Sequence, residues 1–186
     1  MSARTADAAG VERRMLGNGM PFLGATDVDN ELVAVRIQLA MGSRYESDAE
    51  SGWAHLASRL LLKGTDRRNA ARLAEDFESV GGRIATATSK ESTGIALLCA
   101  RDVLPGCLDL LAELITMPSF AEAELETERL ASLARIKARE DQLLGLAFDL
   151  FHELFYGRHP YHKPALGYEA TVRACRRADG SARARP

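Results

Sequence analysis

Gly52-Trp53-Ala54-His55-Leu56-Ala57-Ser58-Arg59-Leu60-Leu61-Leu62-Lys63-Gly64-Thr65 is the stretch around which the rest of the chain is arranged. Leu56, Leu60 and Leu61 recur at helical spacing. Lys63 and Gly64 put a cation and a glycine where a helix ends, so the stretch predicts one amphipathic helix. His55 and Arg59 are four apart and project from one face on successive turns. Two histidines at that separation, with a glutamate between them, would form half of a zinc peptidase site. Here one histidine remains and the glutamate is missing.

The frame around this helix is specific. Gly42-Ser43-Arg44-Tyr45-Glu46 precedes it, and Lys63-Gly64-Thr65 closes it. Gly81-Gly82 then lead into a strand pair carrying Thr88 and Thr93. Pro118 and Phe120 open a long helical region, and His159-Pro160-Tyr161, Pro164 and Leu166-Gly167 follow it. In order and spacing these landmarks, from about Val11 to Val172, resemble the inverted-motif metallopeptidases, the family of insulinase, pitrilysin and mitochondrial processing peptidase. The family's helix carries His-x-x-Glu-His. The resemblance places Ser58 at the catalytic glutamate and Arg59 at the second histidine. Aligned on Glu128-Arg129, it places Arg135 at the third ligand, a glutamate in the family, and Glu128 at a kept glutamate that supports the ligands.

The chemistry implied is metal-assisted peptide hydrolysis, which needs three zinc ligands, an open fourth position for water, and a carboxylate base. Serine cannot serve as that base. Arginine stays protonated and has no lone pair for a metal. Of the three ligand positions only His55 retains a donor, so no cofactor is expected; zinc would be the cofactor if the family function were kept. His55 is then read as a half-buried structural histidine. Arg59 and Arg135 are expected to pair with Glu128 or another acid, filling the vacated zinc pocket with an ionic cluster. Removing one partner of such a buried pair costs about 3–5 kcal/mol.

The resemblance further implies that the strand after Gly81-Gly82 binds a peptide as an added strand. The family has Asn-Ala-x-Thr there, against Ala85-Thr86-Ala87-Thr88 here, so Ala85, Thr86 and Thr88 are either a substrate edge or part of an ordinary core hairpin. His152, His159 and His162 suggest no second metal site, because His159 and His162 flank a loop the family keeps for structure. No phosphate-cradling glycine loop and no serine nucleophile pattern is present.

Composition agrees with a globular protein. Of 186 residues, 46% are hydrophobic and 27% charged, and the net charge is −2, which argues against nucleic acid or an anionic membrane as partner. No apolar run approaches the ~20 residues of a membrane span. Residues 1–10 lack the apolar core of a secretory signal, so the expected location is the cytoplasm. Cys99, Cys107 and Cys175 form no metal-type pair and leave one over in any disulfide scheme. Cys99 and Cys107 fall on apolar faces as small buried hydrophobes.

Taken in order, Val11–Leu16 and Met20–Ala25 flank Asn18-Gly19, a hairpin signal. Glu31–Met41 alternates as a strand, with Val33, Val35, Ile37, Leu39 and Met41 on one face. Helices are predicted over Arg68–Val80 and Val103–Thr116, and Arg83–Thr88 with Thr93–Arg101 form a second hairpin. Ala121–Phe155 is one long helix or two. The sum predicts an α+β fold, with helices on one face of a mainly antiparallel sheet. Residues 1–10 read as disordered, and residues 11–172 as an incomplete N-terminal domain of the family type. Residues 173–186, five of them arginine, read as a tail outside the fold. The expected function is that of a noncatalytic supporting subunit, binding peptide and a catalytic insulinase-family partner. The alternatives are a truncated relic without its own function, and an active zinc-dependent peptidase.

Overall fold

The computed structural model describes Thr5, Ala6 and residues 10–177. The chain divides into two compact units, one up to Leu32 and one from Val33 onward. In the first, strands β1 (Thr5–Ala6), β2 (Glu12–Met15) and β3 (Pro21–Gly24) form an antiparallel sheet in that order. Arg14 stands opposite Phe22 and Met15 opposite Pro21. The turn between them is made as Asn18-Gly19 predicts: Leu16 N–H donates to Met20 O at 2.8 Å, and Gly19 takes a positive φ of 81°. The expected disorder of residues 1–10 fails at Thr5–Ala6. The backbone there pairs with Arg13 and Glu12, which gives it hydrogen bonds no local pattern announces. Residues 1–4 and 7–9 lie outside the described part.

The second unit holds the candidate site. Its sheet has the order β4 (Leu32–Leu39), β6 (Thr93–Ala100), β5 (Arg83–Thr88). The β5–β6 hairpin is antiparallel, with Arg83 opposite Leu98 and Thr88 opposite Thr93. β4 alternates as predicted, with Val33, Val35, Ile37 and Leu39 half-buried and the residues between them exposed. Helices α1 (Trp53–Leu60), α2 (Ala70–Ser79), α3 (Leu104–Thr116) and α4 (Glu122–Glu140) bury their apolar stripes in one core. Leu56 and Leu60 of α1, Leu73 and Phe77 of α2, Ile95 and Leu97 of β6, Leu114 of α3 and Leu125 of α4 meet there. This is the α+β fold that the sequence predicts.

Ala121–Phe155 resolves into two helices, α4 and α5 (Leu143–Tyr156), broken at Asp141-Gln142. The short helix α6 (Glu169–Ala174) follows. It corrects the reading of 173–186 as a tail wholly outside the fold. Val172 and Cys175 are buried, and the guanidinium of Arg129 on α4 donates to Cys175 O at 2.7 Å. Residues 178–186 lie outside the described part. Cys99, Cys107 and Cys175 are all buried and none is in a disulfide. Burial, aided by the neighbouring Cys99, pushes the Cys107 thiol up to about 11. Among the described residues no helix is long and apolar enough to cross a membrane.

Candidate functional site

The site is built on α1, and both of its ends are fixed by the landmarks that frame it in sequence. At the start, the buried Glu46 carboxylate accepts the N–H groups of Gly52 (2.9 Å) and Ala54 (2.5 Å). An anion there satisfies orphan donors and faces the positive end of the helix. Gly52 has φ +97°, and a Cβ on it would lie 2.6 Å from Leu166 O. The loop through Leu166-Gly167 therefore rests on the helix start through glycine. The buried Lys163 donates to Glu46 O, and Lys90 donates to the carbonyls of Tyr161 (2.8 Å) and Lys163 (2.7 Å). At the far end Leu61–Lys63 tighten into a 3-10 turn, and Gly64 takes φ +123°. Thr65 then accepts the N–H groups of Arg67 (3.1 Å) and Arg68 (3.0 Å) and donates to the buried Glu113 on α3.

Along α1, His55 is half-buried, and its Nε2 is fully covered with no hydrogen-bond partner. Burial lowers its pKa first, and the charges of Arg135 and Arg59 lower it further against an opposing pull from Glu128. The ring is thus neutral at neutral pH. Ser58 is buried, and its hydroxyl turns back to donate to His55 O at 2.7 Å. The β5 hydroxyls fasten the helix to the sheet: Thr86 Oγ1 donates to Ser58 O (2.9 Å) and Thr88 Oγ1 to Ala54 O (3.4 Å). Thr86 and Thr88 thus hold α1, while Ala85 and Ala87 beside them are exposed. Among the described residues β5 has a sheet neighbour, β6, on one side only.

Opposite α1, Glu128 projects from α4 and is buried. It pairs with Lys63 Nζ at 3.1 Å and with Arg59 Nε at 3.5 Å. The expected ionic cluster exists, with one correction: its second cation is Lys63, and Arg135 is exposed and makes no ion pair among the described residues. Two helical turns beyond Glu128, the Arg135 side chain runs into water, where a charge is better solvated than in a half-buried pair. Lys63 lies four residues after Arg59, so the two cations reach the same carboxylate, but the sequence gives no sign that Glu128 arrives opposite both. Ser132, one turn after Glu128, is also buried with its hydroxyl unpartnered, and no sequence pattern marks it.

The donor chemistry of the site follows. His55 offers one covered imidazole nitrogen, the charges of Arg59 and Arg135 act on it, and the Glu128 carboxylate is already taken by Lys63 and Arg59. Among the described residues no three of His, Cys, Asp and Glu come together as a metal would require. This set does not fit a tetrahedral zinc ion. The other histidines build the loop after α5. His159 Nδ1 accepts the N–H of Tyr161 (3.2 Å), and the His159 ring packs edge-on to Tyr161. His162 Nδ1 bonds to His159 O at 2.9 Å, and the His152 ring leans on Tyr156. A cleft of about 240 Å³ between α4, α5 and Pro164–Tyr168 is lined by none of His55, Ser58, Arg59 or Glu128.

Comparison with known proteins accords with this framing. The profile of the insulinase family, peptidase family M16, matches residues 24–169. An uncharacterized zinc protease of Bacillus subtilis, YmxG, is 30% identical over 162 residues, covering 87% of this chain and 40% of the relative. The probable mitochondrial-processing peptidase subunit beta of Arabidopsis thaliana is 29% identical over 164 residues, covering 88% of this chain and 31% of the relative. Among solved structures, a peptidase M16 inactive domain from Pseudomonas fluorescens superposes with a TM-score of 0.83 at 21% identity, over 97% of this chain and 42% of that one. The chain thus spans well under half the length of the proteins it matches. With the profile covering most of the sequence, this chain belongs to the insulinase family of peptidases, family M16.

Proposed function

We propose that this chain is a noncatalytic insulinase-family subunit, which binds peptide and supports a catalytic partner of the same family. The observation that carries the reading is the Lys63–Glu128–Arg59 cluster beside the single imidazole of His55. Where hydrolysis needs three donors and a free carboxylate, the chain has one covered nitrogen and a carboxylate held by two cations. Ser58 is turned onto the backbone of its own helix and has no acid–base partner among the described residues. No step of metal-assisted hydrolysis is assigned to these residues. Peptide capture asks less of them. β5 is an edge strand, and main-chain pairing needs no particular side chain, so an extended peptide adds beside Ala85.

The test has two parts. The purified chain is given zinc and a quenched-fluorescent peptide mixture, beside a variant carrying Ser58→Glu, Arg59→His and Arg135→Glu. The expected result is no chelator-sensitive hydrolysis by the unaltered chain. Chelator-sensitive hydrolysis that disappears in His55→Ala overturns the reading. Capture of the tagged chain from its own cells is expected to recover an intact-motif family member at near one-to-one amount. Recovery of chaperones alone counts against a supporting role.

A further inference from the structure

Cations outnumber acids where α1, α4 and β5 come together. Along α1 and the turn that continues it, His55, Arg59 and Lys63 follow at steps of four. Along α4, Glu128, Ser132 and Arg135 follow at steps of four and three, so each set shares one helix face. Glu128 meets Lys63 and Arg59, whereas the charge of Arg135 acts on His55 more strongly than that of Arg59 does. The two helices therefore cross the site in opposite directions, with Glu128 at the end of α1 and Arg135 toward its start. At the first end two cations share one carboxylate. Toward the second, Arg135 is exposed and makes no ion pair among the described residues, and the Arg59 side chain keeps 35% of its exposure. β5 runs past that second end, where Thr88 and Thr86 bond to Ala54 O and Ser58 O on either side of His55. From Gly81 to Lys90 the sequence holds two cations, Arg83 and Lys90, and no acid. Lys90 is spent on the carbonyls of Tyr161 and Lys163, but Arg83 is exposed on β5 itself. In a chain of net charge −2, this edge is locally positive.

We propose that the peptide taken up beside β5 is an acidic one, with one of its carboxylates held by Arg135 and Arg59 at the start of α1. A guanidinium presents a planar fork that receives a carboxylate through two parallel hydrogen bonds, and it stays charged at any pH the fold survives. Both arginines are open to water, so a carboxylate arriving there gives up less solvation than one taken fully inside. A basic peptide meets like charge at the same place and is turned away. The carboxylate of an aspartate or glutamate side chain and that of a peptide's own C-terminus offer the same chemistry. The inference rests on the proposed capture of a peptide along β5 and adds the class of peptide that is captured.

Fluorescence anisotropy of dye-labelled peptides with the full 186-residue chain tests this. The peptides share one extended sequence and differ only in charge. One has a central Glu and an amidated C-terminus, and one a central Gln and a free C-terminal carboxylate. A third has the central Gln with the amide, and a fourth a central Lys with the amide. A carboxylate-bearing peptide is expected to bind about tenfold more tightly than the neutral one, and the Lys peptide more weakly than the neutral one. Whichever of the first two binds more tightly identifies the source of the carboxylate. Added salt is expected to narrow the preference. Arg135→Glu is expected to abolish it and Arg135→Lys to keep part of it, both with an unchanged circular dichroism spectrum because the position is exposed. Equal binding of every peptide overturns the inference and leaves capture along β5 standing, as does tighter binding of the Lys peptide. Binding of none overturns the capture itself. A carboxylate preference that survives Arg135→Glu overturns the assignment to this site.

Discussion

Glu128→Ala is the perturbation that separates the observed ionic cluster from a merely crowded surface. The carboxylate is buried, at 4% exposure, and is held by Lys63 at 3.1 Å and Arg59 at 3.5 Å. Breaking a fully buried pair costs about 3–5 kcal/mol because an unpaired charge is left inside. Here the charges left behind are the cations, whose side chains keep 31% and 35% of their exposure and can be reached by water. The penalty is therefore smaller, about 2 kcal/mol, above the 0–1 kcal/mol of a surface pair. For a chain of this length that lowers Tm by about 4–8 °C. The assay is thermal unfolding followed by circular dichroism, with Arg135→Ala as the control. Arg135 is exposed and makes no ion pair among the described residues, so its removal is expected to change stability by less than about 0.5 kcal/mol. Equal effects of the two substitutions, or a Glu128→Ala protein melting with the unaltered chain, would refute the reasoning.

Further outcomes follow from the same geometry. Gly52→Ala forces a side chain into a left-handed backbone, 2.6 Å from Leu166 O, and is expected to cost about 3 kcal/mol, read as a lowered denaturant midpoint. The His55 pKa is lowered in the folded state, by burial first and then by Arg135 and Arg59. The unfolded chain therefore binds the proton first as pH falls below the ordinary histidine value of 6.5, and that contribution to stability is full above this pH and lost below it. His55→Gln is expected to flatten this part of the stability–pH curve, and curves of equal slope would exclude the assignment. Zinc and a chelator are expected to leave the melting curve superimposable, since the donor set does not fit the ion; a zinc-dependent rise in Tm refutes this.

The elements legible in the sequence are those whose signals are local. The β5–β6 hairpin begins and ends as alternation and turn residues predict, and α1 closes at Lys63-Gly64 because glycine permits the φ of +123° found there. What was not legible depends on partners far along the chain. Thr5–Ala6 becomes a strand only because β2 lies beside it. Cys175 sits in an arginine-rich stretch whose composition hides a short helix packing on α4. Lys63 joins the site because Glu128 arrives from a helix more than sixty residues later, and spacing within α1 cannot announce that. In α5 the periodicity is strong, but periodicity reports only that one face is apolar, not whether the rest of the molecule covers it.

The three buried cysteines give the chain an intrinsic clock for its own opening. Cys99, Cys107 and Cys175 come from a strand and two helical segments of one core, and each keeps 6% or less of its exposure. In the folded chain the Cys107 thiol, raised to about 11 chiefly by burial, stays protonated near neutral pH and out of reach of an alkylating reagent. Labelling of the folded chain is then limited by fluctuations that expose the core. The order in which the three sulfurs take up label reports which part loosens first: the sheet at Cys99, the start of α3 at Cys107, or the docking of α6 at Cys175.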